Sequence, residues 1–323
     1  VNLFDVSDTF QSNFYQRWHH LNDPHVRALA WLLDSPDLLD PNSARWQGKI
    51  ATLSDEHIAD WLSVLDLDPS SLHEYLGLQP LTRLGRYAEK LLAFYFSHRK
   101  NLLAHGVQVR AGKKDTIGEF DFLLQQGDAV LHWEFATKFY LFEPTGSGHE
   151  TDYFVGPNLA DTLGAKMHKI LHQQLALGQH PAAQQCVPQP ITLAQALIKG
   201  WLFYRADAFP TVTSMGVSQN HCRGFWCTVQ ESAALVAERY VILPRLSWLA
   251  PAKVNAAHCV DKVALQLECT RHFMSDTMPL LVALLRQEGD YFLEISRGFV
   301  VPNDWRIRAG ERAIHKRIVK DLV

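Results

Sequence analysis

The chain changes its hydrophobic rhythm near residue 100. In LTRLGRYAEKLLAFYFSHRK (81–100) apolar residues fall at 84, 87, 88, 91, 92 and 95, a broad stripe at helical spacing. In GEFDFLLQQGDAVLHWEFATKFYL (118–141) the rhythm is two: Phe120, Phe122 and Leu124 alternate with Glu119, Asp121 and Leu123. Leu131, Trp133, Phe135 and Phe139 alternate with His132, Glu134, Ala136 and Lys138. Period two marks strands whose faces differ. Gln125, Gln126, Gly127 and Asp128 make a polar connection of hairpin length, so the two segments are expected to pair. In that pairing Asp121 approaches Glu134, although the pattern leaves the register open.

The same reading organises the rest. Residues 1–80 read as helical: Asp23-Pro24 opens HVRALAWLLD with a cap residue and a first-turn proline, and Ser54-Asp55-Glu56 opens HIADWLSVL. VQVR (107–110), 118–125 and 129–141 are strands. Asn158 caps a helix through ADTLGAKMHKILHQQLAL, and ALIKGWLFY (196–204) is a further strand. Beyond 205, FWCTV, RYVIL and YFLEISRGFVV read as strands, MPLLVALLRQ as a helix, and the basic GERAIHKRIVKDL as a surface helix. The expected class is α/β. A helical N-terminal region (1–80) is followed by an α-β-β-β-α-β core with a central mixed sheet (81–205) and an α+β C-terminal extension (206–323).

Composition narrows the function. With 47% hydrophobic and 20% charged residues the chain is a folded protein, and its net charge of −3 gives no global attraction for nucleic acid. No apolar run approaches the roughly 20 residues that cross a bilayer, so no membrane partner is expected. VNLFDVSDTFQSNF lacks a basic segment followed by an apolar one, and the expected location is cytoplasmic. Because the chain begins at Val1, its natural start is expected to be absent or processed. The five cysteines suit reduced thiols rather than a disulfide framework. His221, Cys222, Cys227, His258, Cys259 and Cys269 lack the paired spacing of a zinc knuckle, and buried thiols explain them better. Arg297 and Trp305 offer a phosphate and a base contact, but a strand end and a core indole account for them first.

Candidate chemistry centres on acids in apolar company. Glu89 has Gly85, Leu92, Ala93 and Phe96 on its own helix face, and burying an unpaired carboxylate is costly. It therefore needs a partner or a metal, with Arg86, one turn back, as the ordinary alternative. For Asp121 and Glu134 the ordinary alternative is the solvent face of a two-stranded ribbon.

G-E-F-D-F-L-L followed by W-E-F-A-T-K, in the order α-β-β-β-α-β, resembles the PD-(D/E)XK nuclease superfamily. EKLLAFYF, GEFDFLL, HWEFATKFYL, GPNLADTLGAKMHKI and GWLFY resemble, more closely, an uncharacterised bacterial domain family grouped with that superfamily, over about 81–205. The resemblance implies a hydrolase that cuts a nucleic-acid phosphodiester with Mg²⁺ or Mn²⁺, DNA in preference to RNA. Asp121 and Glu134 would be metal ligands and Glu89 would support the metal; oxygen donors suit such hard cations. The superfamily lysine is expected two residues after the acid, but Ala136 stands there and the next lysine is Lys138. At about 3.3 Å per residue its Cα lies roughly 13 Å from that of Glu134, instead of about 7 Å. Lys138 is nevertheless the first candidate for the catalytic lysine, reaching back along the strand or through a β-bulge; Lys166 or Lys169 on the following helix, with Gln173 beyond, are the substitutes, and His132 could assist. The alternative function is a catalytically impaired nuclease-like fold that binds nucleic acid or protein.

Overall fold

A computed structural model describes residues 9–53, 55, 57–77, 82–112, 115–144, 150–187, 189–205 and 212–311. Helices α1 (Phe10–Trp18), α2 (Pro24–Asp34), α3 (Ile58–Leu67), α4 (Ser70–Leu76) and α5 (Leu84–His98) come first. Strands β1 (Leu102–Gly112), β2 (Asp115–Gln126), β3 (Ala129–Phe142) and the short β4 (Phe154–Val155) follow. Then come α6 (Leu163–Lys169), α7 (Pro181–Gln184), β5 (Ile191–Tyr204) and β6 (Cys222–Thr228). The chain continues through β7 (Arg239–Ile242), β8 (Lys253–Val254), α8 (Lys262–Phe273), β9 (Leu280–Glu288) and β10 (Tyr291–Val301).

Among the described residues ten strands form one mixed sheet in the order β1-β2-β3-β5-β6-β10-β9-β7, with β4 beside β3 and β8 beside β10. Its middle, β3-β5-β6-β10, is parallel, and both ends are antiparallel. The class is thus α/β, with helices on the N-terminal side and a mixed sheet at the centre. The core segment and the C-terminal extension contribute strands to the same sheet.

Helices α1 to α5 pack on one face of this sheet, where Trp18, Trp31, Leu91, Phe96, Phe122, Trp201 and Phe299 share one apolar cluster. Met167 and Ile170 cover the other face with Ala136, Tyr140 and Ile198. Burial of each such side chain stabilises by about 1.5–3 kcal/mol, enough to hold a few costly polar groups among them. Helix α2 begins as its sequence requires: the Asp23 carboxylate accepts from the amides of His25 and Val26, and Pro24 takes the first turn. Ser54 and Glu56, read as part of the next helix start, lie outside the described residues, as do residues 312–323 of the basic C-terminal segment.

Two expectations are corrected. MPLLVALLRQ is not a helix: Leu280–Glu288 forms β9, flanked by β10 and β7, with Leu281 to Leu285 buried. An apolar run this short, covered on both faces, carries no period to separate strand from helix. Asn158 does not cap the helix after it. Its carboxamide accepts from Ala160 N, and Thr162 is the cap, accepting from Ala165 N at 3.1 Å.

Candidate metal centre and cleft

The hairpin turn is the two-residue Gly127-Asp128, with Gly127 at φ 58°, the left-handed conformation that tight hairpins need and glycine adopts without strain. It fixes the register Gln126↔Ala129 through Phe122↔Trp133. One step further along that register Asp121 lies beside Glu134, and there the strands part. From that point β2 continues against β1 alone and β3 against β5. The parting leaves the Phe135 amide without a strand partner on that side, and the Asp121 carboxylate takes its place at 2.9 Å.

Helix α5 closes the wedge from above. Phe96 lies edge-on to Phe122 and Trp133, ring centroids 5.2 and 5.7 Å away, which seats the helix over the last paired rung. Glu89, two turns earlier on the same face, then overhangs the gap. Glu89, Glu119 and Asp121 bring carboxylate oxygens within 4.8 Å of one another. Arg86 spans two of them, donating to Glu89 at 2.9 Å and to Glu119 at 2.8 Å.

Glu134, 2% exposed, forms the floor. Its Oε1 accepts a hydrogen bond from the Gln174 amide, whose Oε1 in turn accepts from Lys166 Nζ at 3.0 Å. Its other oxygen has no hydrogen-bond partner among the described residues. Nor do both ring nitrogens of His132, which is fully buried 3.9 Å behind it. Orphaned buried polar atoms of this kind cost about 1–3 kcal/mol each. A cleft of about 360 Å³ joins these groups, lined by Arg86, Glu89, Asp121, Glu134, Ala136 and Lys166 among others.

Burial governs the electrostatics. It raises the Glu89 carboxyl to about 7, assisted by the charge of Asp121 and opposed by Arg86. Burial first, then the neighbouring Asp121, holds Glu134 far above the usual carboxylate range. Burial also raises Asp121, although the Phe135 amide works the other way. Desolvation lowers Lys166 and depresses His132 to about 4, so His132 is neutral at pH 7 and does not pair with Glu134 as a cation. The site is a set of carboxylates too crowded to ionise together in the absence of added positive charge.

These residues fit a hard divalent cation. Glu89, Glu119 and Asp121 offer only carboxylate oxygens, their 4.8 Å spread lies near the roughly 4.2 Å separating opposite ligands around Mg²⁺, and Glu134 beside them adds a buried oxygen without a hydrogen-bond partner among the described residues.

Of the residues singled out in the sequence, Glu89, Asp121, Glu134 and Lys166 line this cleft. Lys138 does not: its ammonium is 3.0 Å from Asp161, which also accepts from Tyr140 OH. Lys169 and Gln173 are not among the cleft-lining residues, and the helix-borne amide that reaches Glu134 is Gln174. The reason is local. After α6 the backbone winds as a π turn over Ile170–Gln174, which advances the inward face by one residue. Glu119 and the central position of Arg86 were the other omissions. Glu119 stands two residues from Asp121 on the same strand face, a signal the alternation contained.

The other candidates have structural roles. Arg297, fully buried, forms an ion pair with Glu294 at 2.6 Å, donates to the carbonyls of Trp248 and Ala250, and stacks on Trp201. Trp305 is core and donates to Pro157 O. His221 is held by the Tyr204 hydroxyl and Ser218 O, and Cys222 and Cys269 are buried free thiols.

Fold and cleft together define an α/β protein with a carboxylate-lined cleft at the fork of its sheet. The chain belongs to the DUF1853 family, described as a domain of unknown function, whose pattern matches residues 27–301. The match runs from within α2 to the end of β10, so the family unit includes N-terminal helices and C-terminal strands along with the cleft. Neither the curated proteins nor the solved structures contain a match to the chain.

Proposed function

We propose that this protein is a Mg²⁺- or Mn²⁺-dependent phosphodiesterase acting on nucleic acid, DNA in preference to RNA. The observation that carries the reading is the convergence of Asp121, Glu134 and Glu89 with Lys166 in one cleft where β2 and β3 part. The element order α5, β1, β2, β3, α6, β5 and the resemblance of GEFDFLL and WEFATK to the PD-(D/E)XK nucleases support it.

Asp121, anchored on the Phe135 amide, and Glu134, steadied by Gln174, would hold the cation with Glu89; Glu119 stands ready as a fourth carboxylate. The bound cation supplies the charge that lowers the pKa of a coordinated water and offsets the negative charge gathering on phosphate. Lys166, positioned by Gln174 Oε1 and partly desolvated, donates to a phosphate oxygen as that charge develops. It takes the part of the lysine missing at position 136.

One observation favours the binding-module alternative: Arg86 already pairs with both Glu89 and Glu119. Labelled DNA and RNA incubated with Mg²⁺ or Mn²⁺ separate the two readings. Wild type cuts; Asp121→Ala and Glu134→Ala do not; Lys166→Ala is slower by about 100-fold. Cutting that survives both acid substitutions belongs to another site or a contaminant. No cutting alongside retained nucleic-acid binding establishes the module instead.

A further inference from the structure

A second groove, about 280 Å³, opens directly beside the acidic cleft and shares Arg83, Gly85 and Thr137 with it. Its lining is net basic, whereas in the cleft Glu89, Asp121 and Glu134 are matched by Arg83, Arg86 and Lys166. Arg83, Lys138 and Arg245 face one carboxylate, Asp161, which Lys138 already satisfies. Arg83 and Arg245 are exposed, and their side chains make no hydrogen bond or ion pair among the described residues. Arg245 instead lies over the Trp248 ring, 5.3 Å from its centroid, which holds the guanidinium at the groove without using its donors. Arg83 stands at the start of α5. In a chain of net charge −3, two guanidinium groups with unused donors in one groove are a local basic feature beside the carboxylate cleft.

We propose that this groove is the anion subsite that grips the nucleic-acid backbone beside the phosphate being cut, with Arg83 and Arg245 as its contacts. This rests on the phosphodiesterase reading and extends it to substrate binding. Lys138, on the groove wall, is roughly 13 Å along β3 from Glu134. Against a rise of about 3.4 Å per nucleotide of a duplex strand, the groove serves phosphates within about four nucleotides of the acids. Guanidinium forks bind phosphate bidentately, and neither arginine must first break an internal pair. Arg245 comes from the segment between β7 and β8, so the C-terminal part of the chain completes the substrate path.

The test is fluorescence anisotropy of a labelled ten-nucleotide DNA with EDTA present, so that binding is read without cutting. Arg83→Ala and Arg245→Ala each weaken binding by about tenfold. Each also lowers the slope of log affinity against log salt by about one, while Arg245→Lys restores that slope but only part of the affinity, since lysine keeps the charge without the fork. Unchanged melting temperatures guard against a folding defect at Trp248, and Arg83→Ala, at an exposed position, gives an independent reading. Alanine variants that bind like wild type with the same salt slope overturn the proposal. So does inorganic phosphate or a mononucleotide that binds as tightly as the ten-nucleotide strand, since the groove would then be a site for free phosphate. Cleavage assayed on the same wild-type protein judges the underlying reading separately: absent cutting with arginine-dependent binding removes the catalysis and leaves the subsite.

Discussion

At the residue scale the cleft is a problem of surplus negative charge. Glu89 and Glu134 bind protons more tightly folded than unfolded, because burial penalises their ionised forms. A carboxyl raised in this way makes the native state bind more protons than the unfolded chain above the usual carboxylate range. Stability therefore falls as pH rises from about 4.5 through about 7, where Glu89 ionises, and beyond as Glu134 follows. Melting in EDTA is expected to drop by at least about 2 °C more between pH 5 and pH 8 for wild type than for Glu134→Gln. Saturating Mn²⁺ should remove that excess, since the cation favours the ionised carboxylates. A wild-type melting curve no more sensitive to pH than that of Glu134→Gln would contradict the assigned burial cost. The acids themselves were legible, because charged residues inside an alternating apolar pattern stand out. Glu119 lay in the same alternation without being singled out, and Arg86 was read only as the ordinary partner of Glu89, because an acid on a strand face and an arginine three residues before a glutamate usually form solvated surface pairs.

At the element scale the cleft depends on how β3 is held after it leaves β2. Its remaining long neighbour is β5, paired along the other edge in parallel register, with Lys138 opposite Gly200. A Cβ at Gly200 would come within 1.9 Å of the Lys138 carbonyl oxygen, a backbone atom that cannot swing aside. Gly200→Ala is therefore expected to push the strands apart and cost about 2 kcal/mol or more, read as a lower urea midpoint. A midpoint equal to wild type would mean that β3 and β5 are less closely paired. Strands β2 and β3 and helix α5 were readable because an alternating or helical stripe runs through part of each, whereas of β1 only residues 107–110 were read, its pairing with β2 being broken by three register shifts. Gln174 was not: a π turn shifts the helix face by one position, and no residue type in ILHQQ announces it. Strand β9 was missed for a related reason, its buried run of Leu, Val and Ala having no polar face to set a period.

At the scale of the whole molecule, the segments read separately from the sequence meet around one sheet. The N-terminal helices lie on it and tie to its far end: Gln11 donates to Glu294, Tyr15 OH to Ala252 O, and Arg27 to Pro251 O. Such contacts join residues more than 200 positions apart and leave no local trace in composition or period. The strand order, with β10 between β6 and β9, is equally non-local. The cleft stands where N-terminal helix packing, the parting of β2 from β3, and the π turn after α6 come together. A cation held there would link α5 to the sheet and complete the site. The most direct test is a calorimetric titration of the folded, metal-free chain with Mn²⁺, beside Asp121→Asn. Saturable binding in wild type that is lost in the variant is the result expected. No heat from a folded wild type, or equal binding by Asp121→Asn, would contradict the metal centre and the phosphodiesterase built on it.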